Sequence, residues 1–294
     1  MANFNETILF MITTPLFVVC IGLEMIVSNW KRDLRYSKLG FFENMYLMLL
    51  NTGLDLGMRL VAIYFFTEIL TYSFFKIETP WLYWLLLIAL VDLAFWVIHF
   101  VDHYCRLFWA VHVTHHSSQE YNLTVGLRSS LFEPLYRFIF FIPVALMGYA
   151  IEDIFLAYSI TQLYGVFLHQ QYIKSFGPLD YILVSPSMHS VHHGSNVPYL
   201  DKNMGMFLNF WDRLFGTYQK EEEPVVYGLT KNIDSHDPRT VIFHEFKSIL
   251  QDVKKAPDFK SKFMYVFGPP GWSHDGSRQT SKQLRAALQD KSKK

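Results

Sequence analysis

The sequence predicts an all-α fold: a polytopic membrane helix bundle of about four to five spans, with a cytoplasmic helical cap carrying clustered histidines. Three observations predict it. Of 294 residues, 51% are hydrophobic and 17% aromatic while only 18% are charged, a profile of chains that face lipid. Apolar runs recur through the first half of the chain, each near the length that crosses a hydrocarbon core of about 30 Å. Eight of the 12 histidines fall in three spaced groups: His99 and His103; His112, His115 and His116; His189, His192 and His193. A ninth, His169, lies between the second and third. The formal net charge is zero, which gives no reason to expect a nucleic-acid partner. Two cysteines, Cys20 and Cys105, make a disulfide framework unfavoured; Cys105 reads as a packed thiol more readily than as a ligand.

Taken in order, Thr7 to Ser28 is an apolar run broken only by Glu24. Its positive charges, Lys31, Arg32, Arg35 and Lys38, follow rather than precede it, so it reads as an uncleaved span with a cytoplasmic C-terminal end. Met45 to Phe75 is longer than one span requires and reads as one tilted helix or a tight hairpin; Asp55 and Arg59 pair inside it at i, i+4. Trp81 to Phe100, entered through Thr79-Pro80, is the third span and delivers His99 and His103. Asp92 shares their helical face, either as a carboxylate behind an imidazole or as a bundle-facing polar residue satisfied by a neighbour. Leu131 to Ala150 and Ile151 to Phe167 read as a membrane hairpin, with Glu133 and Arg137 paired near its entry. The remainder is soluble in composition, and the Lys-rich tail after Lys282 reads as mobile. The division expected is 1–80 for the first spans, 81–245 for the histidine-bearing region and 246–294 for a soluble extension.

With single spans throughout, the chain crosses five times from an outer N-terminus. Residues 29–43, 101–130 and 168–294 then face the cytoplasm, and the outer turns hold only Lys76. This agrees with the positive-inside rule and lands every histidine group on the cytoplasmic side.

The histidine spacing is that of shared helical faces, residues three or four apart. His189, His192 and His193 fit a short helix of about two turns, capped by Ser185-Pro186 and ended at Gly194. In one unbroken helix the nine residues from His103 to His112 would set those groups on opposite faces. A break is therefore expected between Tyr104 and Ala110, although no Gly or Pro lies there. Neutral imidazole suits Fe, Zn, Cu and Ni. Nine imidazoles are too many for one ion and about right for two. The chain has no H-E-x-x-H, no G-x-G-x-x-G and no C-x-x-C, so a zinc protease helix, a nucleotide domain and an iron–sulfur site for electrons are all unsupported.

These boxes resemble those of the fatty acid hydroxylase/sterol desaturase superfamily, and the likeness is tighter still to alkylglycerol monooxygenase and its bacterial relatives. It is carried by His99-x3-His103, Trp109-Ala-Val-His-Val-Thr-His-His-Ser-Ser118, Tyr121-Asn-Leu-Thr124, Leu127-Arg128, Ser187-Met-His-Ser-Val-His-His-Gly194, Asp201-Lys-Asn203, Trp211-Asp-Arg-Leu-Phe-Gly-Thr217 and Tyr227-Gly-Leu229, across roughly residues 85–245. The resemblance implies a membrane-embedded non-haem di-iron site that uses O2 to hydroxylate or desaturate a lipid. It implies ligands at His99, His103, His112, His115, His116, His189, His192 and His193, with His169 as the additional histidine. Many fatty acid hydroxylases carry a further histidine where this chain has Ile173, which leaves one metal with a vacant position, a water or a carboxylate. Asp201 is a substitute or second-layer candidate, weighed against a loop Asp capping a turn. Arg128 and Lys202 are candidates for a polar headgroup, weighed against solvated surface bases. Phe95, Trp96, Phe108 and Tyr164 are candidates for substrate selection, weighed against plain packing. Electrons come from outside: a reductase, a cytochrome, or a reduced pterin if the likeness extends to cofactor. The competing readings are a membrane metal transporter or sensor, which expects a polar path across the bilayer, and a zinc-dependent lipid hydrolase using the same histidines.

Overall fold

The structure, a computed structural model, describes residues 5–292 apart from Leu34, Lys76 and Asp234. Lys76, the basic residue expected in the outer turns, therefore lies outside the described residues. Among those described, the regular elements are helices, joined by two isolated bridges, Leu183–Leu208 and Gly194–Tyr227.

The first helix, α1 (Glu6–Lys31), starts where the Asn5 side chain accepts a hydrogen bond from the Ile8 amide at 3.0 Å. Met11, Leu16, Val18 and Ile26 on it face outward. Its buried residues are Glu24 and Ser28. Glu24 accepts from the Leu123 amide at 2.9 Å and from the Tyr36 hydroxyl. The 33-residue α2 (Lys38–Leu70) is uninterrupted, so the stretch from Met45 is one helix and the hairpin alternative falls. Among the described residues two helices are long and apolar enough to cross a membrane, α1 and α3 (Pro80–Tyr104).

Leu131 to Ala150 departs from the expected helical hairpin arm. It runs as 3-10 turns, Glu133–Leu135 and Arg137–Phe141, into the short α5 (Ile142–Leu146). This broken leg still traverses the bundle. Arg128 lies beside His115, whereas the Leu146 carbonyl accepts from the Phe74 amide at 3.0 Å and the Ala150 amide meets the Tyr83 hydroxyl at 3.3 Å, at the opposite end. Protein covers much of this irregular backbone: Phe138, Phe141 and Val144 are buried against Leu87, Val91 and Phe155, while Leu135 and Ile139 face outward. The chain returns as α6 (Ile151–Leu168). The two expected i, i+4 pairs merge into one network. Arg59 bonds Asp55 and Glu6, each at 2.7 Å; Asp55 also bonds Arg137, which lies 3.9 Å from Glu133. Pairing removes most of the cost of these charges among apolar helices.

The cap follows the break at Cys105: α4 (Arg106–His116), α7 (Pro186–His192), α8 (Phe210–Phe215), α9 (Pro238–Lys255), α10 (Phe259–Phe267) and α11 (Ser281–Ser292). Two expectations change here. The boundary at 245 falls inside α9, which packs with α10 against α4, so the extension is part of the cap. As far as Ser292 the tail is not loose: it forms α11, and Arg285 bonds the Leu200 carbonyl.

Candidate metal centre

All nine histidines converge. His99, His103, His112, His116 and His192 place one ring nitrogen each within 4.8 Å of one another, and so do His115, His169, His189 and His193. Three helix segments and one helix end make this possible. His99 and His103 leave the last turns of α3, and His112, His115 and His116 sit on α4. His169 caps α6, and His189, His192 and His193 close α7. The expected break is at Cys105, whose extended φ −119°, ψ 119° separates α3 from α4. The cause is tertiary. The Arg106 amide, which would continue the helix, donates instead to the Gly268 carbonyl at 2.9 Å. The buried Arg106 guanidinium bonds Glu245 and Asp252 of α9, each at 2.7 Å. The Cys105 thiol belongs to neither histidine group.

The tautomers follow from the outer hydrogen bonds. The Nδ1 atoms of His99, His115, His169 and His192 meet the carbonyls of Met204, Arg128, Gly165 and Lys202 at 2.8, 2.8, 2.8 and 2.9 Å. A carbonyl only accepts, so each Nδ1 carries the proton and each Nε2 presents a lone pair inward. The Nε2 atoms of His115 and His169 then face each other, lone pair to lone pair, at 3.4 Å. His169 stands 3.0 and 3.1 Å from the Nε2 atoms of His193 and His189. In the other group the Nε2 of His112 stands 3.1 Å from those of His99 and His116, and His116 is 3.1 Å from His192. Nitrogens bound at about 2.1 Å to one ion stand about 3.0 Å apart at right angles and about 3.4 Å apart in a tetrahedron. Bare lone pairs at these spacings repel unless a cation lies between them, so the donor set fits two transition-metal ions. Burial reinforces this. Desolvation holds the imidazoles of α4 and α7 well below their usual range, His115 to about 4, so they are neutral and ligand-competent at pH 7.

The remaining candidates separate. Asp201 places Oδ1 3.3 Å from His103 Nδ1, at the margin of the five-imidazole group. Asp92 is not behind an imidazole. Its carboxylate accepts from the amides of Phe207 and Leu208 at 3.0 and 2.9 Å and from Trp211 Nε1 at 3.1 Å. Arg128 is closed to any headgroup: it is buried, and its guanidinium is consumed by Thr114, Asn44, Glu43 and Ser117. What it offers the site is its carbonyl. Lys202 likewise gives His192 its carbonyl while its ammonium bonds Gly216 O at 3.3 Å. Ile173 is 46% exposed and outside both groups. Of the four aromatics, Phe95 lines the cavity beside the centre. Trp96 bonds Asp212, Phe108 packs on Tyr136, and the Tyr164 hydroxyl bonds Val184 O. Ser185 precedes α7 without a side-chain cap bond.

Two carboxylates were missed by reasoning from histidines alone. Asp212 accepts from the Met204 and Gly205 amides at 2.8 and 2.9 Å, holding the segment whose Met204 carbonyl orients His99. Asp102 lies 3.7 Å from His112 Nδ1 and accepts from the Tyr136 hydroxyl at 2.6 Å. The signal for Asp102 was its place between the paired histidines; the signal for Asp212 was its Trp-Asp-Arg setting.

Residues 84–217, which contain every one of these histidines, match the family described as fatty acid hydroxylase. The chain belongs to the fatty acid hydroxylase/sterol desaturase superfamily. Within this superfamily it is similar to human alkylglycerol monooxygenase, 35% identical over 88% of this chain and 59% of that protein. The alkylglycerol monooxygenase of Xenopus tropicalis is 37% identical over 66% of this chain and 43% of that protein. That of Danio rerio is 32% identical over 88% and 59%. The chain therefore spans at most about three fifths of these superfamily members' length. No solved structure matches it significantly.

Proposed function

We propose that this protein is a membrane-embedded oxygenase with a non-haem di-iron centre, which uses O2 to hydroxylate or desaturate a C–H bond of a lipid such as a glyceryl ether. One observation carries the reading: five and four imidazoles converge on two adjacent points, and backbone carbonyls hold the Nδ1 protons of four of them so that their Nε2 atoms face inward bare. His99, His103, His112, His116 and His192 would hold one iron, and His115, His169, His189 and His193 the other. Two irons would supply the redox capacity that breaking an unactivated C–H bond requires and that zinc lacks.

The protein's own contribution is positioning and access. A cavity of about 210 Å³ lies on the bundle side, lined by His99, His112, His115, His169 and His189 together with Phe10, Met48 and Phe95, and by the charged network of Asp55, Arg59, Glu133 and Arg137. It is the place for the reacting stretch of a lipid. A second cavity, of about 450 Å³, meets the centre at His103, His116 and His192 and is walled by Lys231, His244 and Gln279. It is where an external reductant, a reductase group or a reduced pterin, would reach the centre. The chain is proposed to be multi-pass, with the centre on the cytoplasmic side, as the positive-inside reading has it.

The test is iron per chain measured together with oxygen-18 incorporation into lipid. Wild type should hold two irons and incorporate label, and His115→Ala should lose both one iron and the incorporation. Metal-free active protein would end the reading, and zinc-only protein with oxygen-independent turnover would replace it with a lipid hydrolase.

A further inference from the structure

We propose that the turn Gly177–Tyr181 and α8 form a wedge lying in the acyl-chain region of the bilayer, beside α3. Neither segment is long enough to span, and both follow the last long apolar helix of the sequence. Yet Leu179, Tyr181, Ile182, Phe210, Leu214 and Phe215 are each more than half exposed. The two pieces are one surface. The Asn209 amide donates to the Ile182 carbonyl and its side chain to the Asp180 carbonyl, both at 2.8 Å.

The depth of that surface is fixed by where it is bolted to α3. Asp92 is the midpoint of the 25-residue helix, and its carboxylate holds Phe207, Leu208 and Trp211. Phe215 stacks on Trp96 at 4.5 Å between ring centroids. A helix of that length is about 37 Å long, against a hydrocarbon core of about 30 Å. If α3 spans, the core edge lies within about 7 Å of its Tyr104 end. Trp96 is eight residues, about 12 Å, from that end, so Trp96 and its Phe215 partner fall at least about 4 Å inside the core. Asp92 falls deeper. Apolar side chains exposed at that level face acyl chains, not water. The polar fittings agree: the Asp92 and Asp212 carboxylates turn inward onto backbone amides, and Arg213 lies over the rings of Tyr181 and Tyr218 at 5.6 and 4.2 Å, a long cation with a route toward the interface. The wedge is also mechanically tied to the centre, because the Asp212 that anchors α8 holds the Met204 segment behind His99.

The experiment uses the full chain in phosphatidylcholine vesicles, with Cys20→Ala and Cys105→Ala as background. Single cysteines at Leu179 and Leu214 carry an environment-sensitive fluorophore; Leu16→Cys on α1 and Lys254→Cys on α9 are the lipid and water references. Leu179 and Leu214 should be quenched by acyl-chain spin labels as strongly as Leu16, and several-fold less than Lys254 by aqueous iodide. Iodide quenching equal to that of Lys254, or quenching only by a headgroup-borne spin label, overturns the wedge. Phe210→Cys supplies an independent position should either variant fail to fold.

Discussion

The two imidazole groups differ in how they are closed. The five-membered group is drawn from α3, α4 and α7, and has carboxylates at its margin in Asp201 and Asp102. The four-membered group takes nothing from α3. It relies on His169 at the end of α6, and three of its four rings line the bundle-side cavity. Metal sites that only hold structure are closed by protein, whereas reactive ones keep a position open. His99 and His112 of the five-membered group also line that cavity, so it is the smaller ligand number that makes the four-imidazole side the proposed place for the open position. Ile173, where many relatives in the superfamily carry another histidine, is turned outward, so this chain does not fill the gap from there.

The comparison can be broken most sharply by removing one ring from each side. His193→Ala leaves three imidazoles and should lower turnover about a thousandfold, on the order of 4 kcal/mol of transition-state stabilisation. His103→Ala leaves four and should cost about ten- to a hundredfold. Equal losses, with equal iron content, would erase the distinction between the groups.

Next in size is the joint that lets α3 and α4 face one centre. Arg106→Ala leaves Glu245 without its ion pair and Asp252 with Arg278 alone, and should destabilise the protein by about 3 kcal/mol. Denaturant unfolding checks it, against a change within about 0.5 kcal/mol for Lys254→Ala on the open face of α9.

Acid should unfold the cap through the histidines. The folded pKa values of the α4 and α7 imidazoles lie below 6.5, His115 at about 4, so below pH 6.5 the unfolded chain binds more protons than the folded one. Stability and bound metal should be level above about pH 6.5 and fall between there and pH 4. A thermal-melting series against pH reads this, and a midpoint that rises on acidification would contradict it. The smallest effect is expected from Ile173→His. The side chain lies outside both groups, so iron per chain should stay unchanged and turnover within about twofold.

The sequence made most of the centre legible because helical spacing is a local property: rings three and four apart share a face whatever surrounds them. It was weakest where a side chain's role depends on which distant backbone group comes to meet it. Arg128 and Lys202 are basic residues near the site, yet what they give it is their carbonyls. Asp92 shares a helical face with His99, yet its carboxylate turns to amides 115 and 116 residues away. Leu131 to Ala150 has the composition of a membrane helix, and Pro134 and Pro143 together with burial turned it into 3-10 turns.

By itself, then, the sequence determined nine imidazoles in ligand-like spacing, the apolar helices that carry them and the need for a bend before His112, all consequences of helical geometry and hydrophobicity. Only the tertiary structure decided where the bend falls, which nitrogen of His99, His115 and His192 is bare and how the nine divide into five and four. Those depend on groups the fold brings together: the Gly268 carbonyl capturing the Arg106 amide and the Met204 carbonyl behind His99, both more than a hundred residues away, and the loop carbonyls of Arg128 and Lys202 behind His115 and His192.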